Sequence, residues 1–150
     1  MTRPIYLAAF KNYGYPAHWA IFVPNTQAGN VGKLIHVIGS STNGFFLEFK
    51  RNYDFSTTRS EYQMIHLADV EERFVARPVA NAPKETDTTP RDRLEMAAKI
   101  VDPPPRSLIR FDPPKENCQG WIQRYLQQLV NDGLLNDSAL LVIQNAPKTL

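Results

Sequence analysis

The chain contains one cysteine, placed where a thiol can act as a nucleophile. Cys118 lies in Asn117-Cys118-Gln119-Gly120-Trp121, where a proline-rich approach meets a segment with Ile122, Tyr125, Leu126, Leu129 and Val130 at helical spacing. A helix N-terminus carries about half a positive charge and free amide hydrogens. These favour thiolate over thiol and draw a cysteine below its free pKa of roughly 8.5. The same amides can donate to an oxyanion in acyl transfer. Two of the three histidines fall in adjacent strand-like segments, His18 in His-Trp-Ala-Ile-Phe-Val and His36 in Leu-Ile-His-Val-Ile-Gly. Thiol and imidazole together are the parts of a cysteine nucleophile and its base.

Phase and parity test whether they meet. Cys118 is four residues before Ile122, which puts it on the apolar stripe that should pack on a sheet. His18, Ala20 and Phe22 share one strand face, and Leu34, His36 and Ile38 share another. A hairpin centred on Gln27 would pair His18 directly with His36, although a bulge or longer loop would shift that register. The competing reading is structural, because a lone cysteine is usually a small buried hydrophobe. His66 has only a structural reading. One cysteine and three scattered histidines lack metal-ligand spacing, so neither metal nor cofactor is expected. No Gly-x-Ser-x-Gly elbow of a serine hydrolase occurs.

The elements that must position these residues form a strand-rich first half. Ile5–Phe10 reads as an edge strand after Pro4. His18–Val23 and Lys33–Ile38 follow as a hairpin, then Phe45–Lys50 after a turn at Ser40–Gly44, then Glu61–Leu67. Asp69 is a candidate cap for a short helix through Phe74. Residues 76–89 read as a surface loop, and Thr89-Pro90-Arg91-Asp92 as a helix start capped by Thr89 and running to Val101. Five prolines between Asp102 and Asn117 stop that helix. The cysteine helix should end near Gly133; Ser138–Ile143 is apolar, helix or strand. The order predicts one α+β domain over residues 1–150, an antiparallel sheet packed against helices.

Composition narrows the function. With 43% hydrophobic and 21% charged residues in 150, the chain suits one globular domain. A net charge of +2 from 17 basic and 15 acidic residues, without a basic run, argues against nucleic acid as a partner. No stretch nears the ~20 apolar residues of a transmembrane segment, and no signal pattern opens the chain. The expectation is a soluble, cytoplasmic protein.

His-Trp-Ala-Ile-Phe-Val, then Gly-Lys-Leu-Ile-His-Val, then Asn-Cys-Gln opening an apolar helix resembles the permuted papain-like superfamily. That group includes the NlpC-type peptidases and the lecithin–retinol acyltransferase-like proteins. The resemblance spans roughly Pro4 to Val130, and small fungal proteins look similar in the wider pattern. It implies a circularly permuted papain-like fold, with Cys118 as nucleophile, His18 as catalytic imidazole and His36 as the group orienting it. It also points to Tyr13, Tyr15, Asn117, Gln119 and Trp19 as oxyanion or substrate-binding residues. The acyltransferases usually follow the cysteine with an acid and His-Phe, whereas this chain continues Gln119-Gly120-Trp121, so their lipid substrates are not carried over. The implied activity is thiol-dependent hydrolysis or transfer of a small-molecule or peptide-like acyl group from an ester, thioester or amide, failing in acid as a thiolate–imidazole pair is protonated. Two alternatives stay open. One is a catalytically inactive domain that binds a small molecule or protein through Trp19, Trp121, Phe45, Phe46 and Phe49. The other is an accessory enzyme of secondary metabolism.

Overall fold

A computed structural model describes residues 1–13, 15–40, 42–79, 81–106 and 116–150. Among these residues six strands form one antiparallel sheet: β1 (Thr2–Phe10), β2 (His18–Pro24), β3 (Val31–Ser40), β4 (Gly44–Asp54), β5 (Tyr62–Glu71) and β6 (Glu85–Asp87). Their order across the sheet is β5-β1-β2-β3-β4-β6. Three α-helices follow among the described residues, α1 (Arg93–Ile100), α2 (Cys118–Asn131) and α3 (Ser138–Gln144). The architecture is α+β.

Strand alternation divides the sheet into two faces. Ile5, Leu7, Trp19, Ile21, Ile35, Val37 and Phe49 join the main core with Trp121, Ile122, Tyr125, Leu126 and Leu129 of α2. The period of two on the strands and 3.6 on α2 generates these matching surfaces. On the opposite face Ala8, Ala20, Phe22, Leu34 and Phe55 make a smaller core. Phe55, in a 3-10 turn after β4, stacks on Phe10 at 5.8 Å and meets Phe22 edge-on at 4.8 Å. The connection beyond β4 therefore folds back over this face and builds one wall of a cleft.

Several boundaries differ from expectation. β1 is an interior strand flanked by β5 and β2; Pro4 is tolerated because β2 pairs only from Tyr6 onward, leaving Pro4 opposite Asp69 of β5 alone. Asp69 is not a helix cap but part of β5, with Oδ1 accepting from His66 Nε2; the short helix that follows is a 3-10 turn at Glu72–Phe74. The 76–89 stretch contains β6, whose Asp87 binds both ends of the Arg51 guanidinium at 2.9 Å. Asp92, not Thr89, caps α1, accepting from Glu95 N–H at 2.9 Å, so Pro90 precedes the helix instead of opening it. Residues 107–115 of the proline-rich approach to Cys118 lie outside the described residues. No described helix is long and apolar enough to cross a membrane.

Candidate functional site

A cleft of ≈ 850 Å³ opens on the sheet face away from the helices, and His18, His36, Asn117 and Cys118 all line it. The two histidines reach it through the β2–β3 hairpin. The ladder pairs Ile21 with Ile35 and Phe22 with Leu34, two residues displaced from a direct His18–His36 pairing. An even displacement keeps both side chains on one face, so the imidazoles meet diagonally across the strands. His18 Nε2 lies 2.8 Å from His36 Nδ1, with ring centroids 5.0 Å apart.

The chain of contacts continues to a residue that sequence reasoning passed over. His36 stands directly across from Glu48 in the β3–β4 ladder, and its Nε2 lies 2.9 Å from Glu48 Oε1. The hydrogen bond from His36 is the main cause holding the Glu48 carboxyl below the usual range, against the opposing cost of burial. An ionised carboxylate only accepts, so a neutral His36 carries its proton on Nε2 and accepts at Nδ1. His18 then donates from Nε2, and its Nδ1 keeps a lone pair with no partner among the described residues. His36 is almost fully buried. Burial, then the neighbouring His36 and Lys50, push the His18 pKa down to about 3, while Glu48 works weakly the other way. His18 is therefore a neutral base.

Cys118 is the first residue of α2, and Asn117 caps the helix by accepting from the amides of Gln119 at 3.0 Å and Gly120 at 3.4 Å. Two terminal amides are thereby occupied; the Cys118 N–H has no partner among the described residues. α2 packs on the face opposite His18, so the apolar stripe does not carry the thiol onto the histidine face. Cys118 reaches the cleft around the end of β2, where its Sγ donates to the carbonyl of Ala17 at 3.9 Å. Among the described residues no hydrogen bond joins Sγ to His18. Burial pushes the Cys118 thiol up, more than the nearby amides of Trp19, Gln119 and Cys118 bring it down. This reverses the lowered pKa expected from the helix terminus, because loss of hydration outweighs the dipole here.

The other expected binding residues divide between cleft and scaffold. Tyr15 lines the cleft and is exposed at its mouth. Tyr13 lies outside it, with Lys11 Nζ 4.8 Å above its ring. Trp19 is wholly buried in the helix-side core and donates to Pro147 O, since strand parity turns it away from its neighbour His18. Gln119 is a structural staple. Its Nε2 donates to Ala17 O and Lys148 O, both at 2.9 Å, joining α2, the start of β2 and the C-terminal tail. Trp121 is also core, stacked on Tyr125 at 5.1 Å and donating to Val101 O. Of the aromatic cluster, Phe45 lines the cleft, Phe49 is buried in the main core and Phe46 is exposed. Sequence reasoning missed Glu48, Phe10, Lys50 and Tyr53. For Glu48 the signal was present, since a turn centred on Thr42 sets it opposite His36. No three His, Cys, Asp or Glu side chains cluster as metal ligands among the described residues.

A family model described as a family of unknown function (DUF6540) matches residues 5–136, a span that takes in His18, His36, Glu48 and Cys118. No curated protein and no solved structure matches the chain. On that match across most of its length, the chain belongs to the family of unknown function DUF6540.

Proposed function

We propose that the cleft is the active site of a thiol-dependent acyl hydrolase or acyltransferase, built on a circularly permuted papain-like arrangement. The observation that carries this reading is the relay His18–His36–Glu48, with bonds of 2.8 and 2.9 Å, ending beside the same cleft that Cys118 lines. A fixed acid, an orienting group and a base with one free nitrogen have the logic of a catalytic triad.

In the proposed reaction, Cys118 Sγ attacks the carbonyl carbon of an ester, thioester or amide while His18 Nδ1 takes the thiol proton. The Cys118 N–H donates to the oxyanion, and the Tyr15 hydroxyl at the cleft mouth is a second donor. His18 returns its proton to the leaving group as the carbonyl re-forms, giving an S-acyl enzyme. Water or an acceptor then attacks that acyl group, with His18 as base again. His36 and Glu48 hold the tautomer, and the Glu48 carboxylate offsets part of the cost that burial, His36 and Lys50 place on the imidazolium formed at each step. Because thiol and imidazole are neutral at rest, proton transfer accompanies attack instead of preceding it. The acid failure expected of a preformed ion pair shifts downward, and activity persists through about pH 5–8 until His18 protonates.

A non-catalytic binding domain is favoured by one observation, the bond from Sγ to Ala17 O in place of His18. A panel of acyl esters, thioesters and amides, assayed with wild type and Cys118→Ala, separates the two. Catalysis requires turnover that Cys118→Ala abolishes and an acyl adduct at Cys118 by intact mass and peptide mapping. Absence of both across the panel leaves the binding reading.

A further inference from the structure

The cleft carries a recognition feature that the relay does not use. Its walls are apolar and aromatic, with Phe10, Leu34, Val37, Ile38, Phe45 and Tyr53 around the histidines. Among the described lining residues one side chain has a fixed charge, Lys50. It lies on β4 two residues after Glu48 and directly across from Leu34, which turns it onto the cleft face. Among the described residues its only anionic neighbour is Glu48, with Nζ 3.9 Å from an Oε1 that already accepts from His36 at 2.9 Å. The Lys50 side chain is 42% exposed, so its ammonium stays accessible from the cleft.

We propose that the cleft binds an acyl compound with an apolar or aromatic body and an anionic group, the anion pairing with Lys50. The proposal rests on the cleft being the substrate site proposed above. Two further points support it. No Asp or Glu is among the described lining residues, and the carboxylate beside Lys50, Glu48, is engaged by His36. Lys50 also disfavours charge on His18, and a bound anion offsets that repulsion when His18 takes a proton. A neutral ligand of the same shape would leave it in place.

Binding is measured by calorimetry on Cys118→Ala protein, so that no chemistry intervenes. The probes are 4-phenylbutanoate and its neutral twin, 4-phenylbutanamide. The carboxylate should bind about tenfold more tightly, as for a hydrogen-bonded charge pair. Lys50→Gln should remove the preference while leaving the amide's affinity unchanged, and Lys50→Arg should restore it. Equal binding of the two probes, no binding of either, or a preference that survives Lys50→Gln overturns the proposal. Selective binding without turnover by wild type of an aryl ester that keeps a free carboxylate, such as monophenyl glutarate, would overturn the catalytic reading alone.

Discussion

Glu48 stands in direct register with His36, and the 2.9 Å bond between them determines which nitrogen of His18 is free, one residue further along. The carboxylate requires a proton on His36 Nε2, which makes His36 Nδ1 an acceptor and draws the His18 proton to Nε2. Removing the carboxylate releases both tautomers. Glu48→Ala should lower turnover of any acyl substrate about 100-fold and cost about 1–3 kcal/mol of stability, because His36 is left buried with an unpaired nitrogen. Glu48→Gln, whose amide oxygen still accepts from Nε2, should recover part of the loss. Nitrogen-15 spectra of the imidazoles supply a readout that folding alone does not move: Glu48→Ala should mix the tautomers that wild type keeps single.

His18 links this relay to acid stability. Its folded pKa is about 3 against an ordinary imidazole value of 6.5, so between these values the unfolded chain binds a proton that the folded chain refuses. Stability therefore falls as pH drops through that window, with a slope of up to about 1.4 kcal/mol per unit. Loss of ionised carboxylates also destabilises, but Glu48 and Glu95 have an unfolded reference of 4.5 and enter lower down. The interval between about pH 6.5 and 5 thus isolates the histidine contribution. Denaturant titrations across it should show a slope that His18→Gln reduces; an unchanged slope would assign it to other groups.

The thiol should behave as a protected one in the resting protein. Burial raises the Cys118 pKa and its Sγ is engaged with Ala17 O. Alkylation by iodoacetamide is expected to run slower than for free cysteine and to accelerate only above roughly pH 8.5. His18→Ala should leave the resting rate little changed, because no hydrogen bond joins that ring to the sulfur. A reaction that titrates well below the free-cysteine range, and loses this in His18→Ala, would instead indicate a preformed thiolate–imidazole pair.

How far the chain disclosed its own structure depended on how local each signal was. Period-two alternation placed the first five strands, and the apolar stripe from Ile122 to Val130 placed α2. Parity also correctly separated His18 from Trp19, which is why Trp19 has no route to the cleft. The His18–His36 register was open to a two-residue shift that preserves the face, and the loop length alone does not choose between the two. Glu48 was legible only through register: a turn centred on Thr42 sets it opposite His36, whereas by itself a single acid between Leu47 and Phe49 reads as an ordinary solvent-facing residue. The stapling role of Gln119 gave no local signal: its partners, Ala17 O and Lys148 O, are 102 and 29 residues away. The α1 start was misplaced because Thr89 and Asp92 both satisfy a local capping pattern. Asp92 prevails through tertiary contacts, with Lys33 Nζ and the Ala76 amide both on its Oδ2.

That same cap borders a buried ionic cluster tying α1 to the sheet. Glu95 is fully buried, with Oε1 accepting from Arg51 Nη2 at 2.6 Å and Oε2 accepting from Lys33 Nζ at 2.6 Å and Arg51 Nη1 at 3.0 Å. Burial works to raise its pKa, but the bonds to Arg51 and Lys33 outweigh it and hold the carboxyl below the usual range. A folded pKa below the unfolded one adds stability at neutral pH, which is lost as pH falls through the folded value. Glu95→Ala removes the shared acceptor of two buried cations at once, and should cost about 3–5 kcal/mol by denaturant unfolding. The loss should be smaller when Lys33→Met is combined with it than the sum of the two single losses, because each substitution alone strands the other's charge. Additive losses would mean that Asp87 and Asp92 satisfy the two cations without Glu95, making the helix–sheet junction a packing contact and not an electrostatic one.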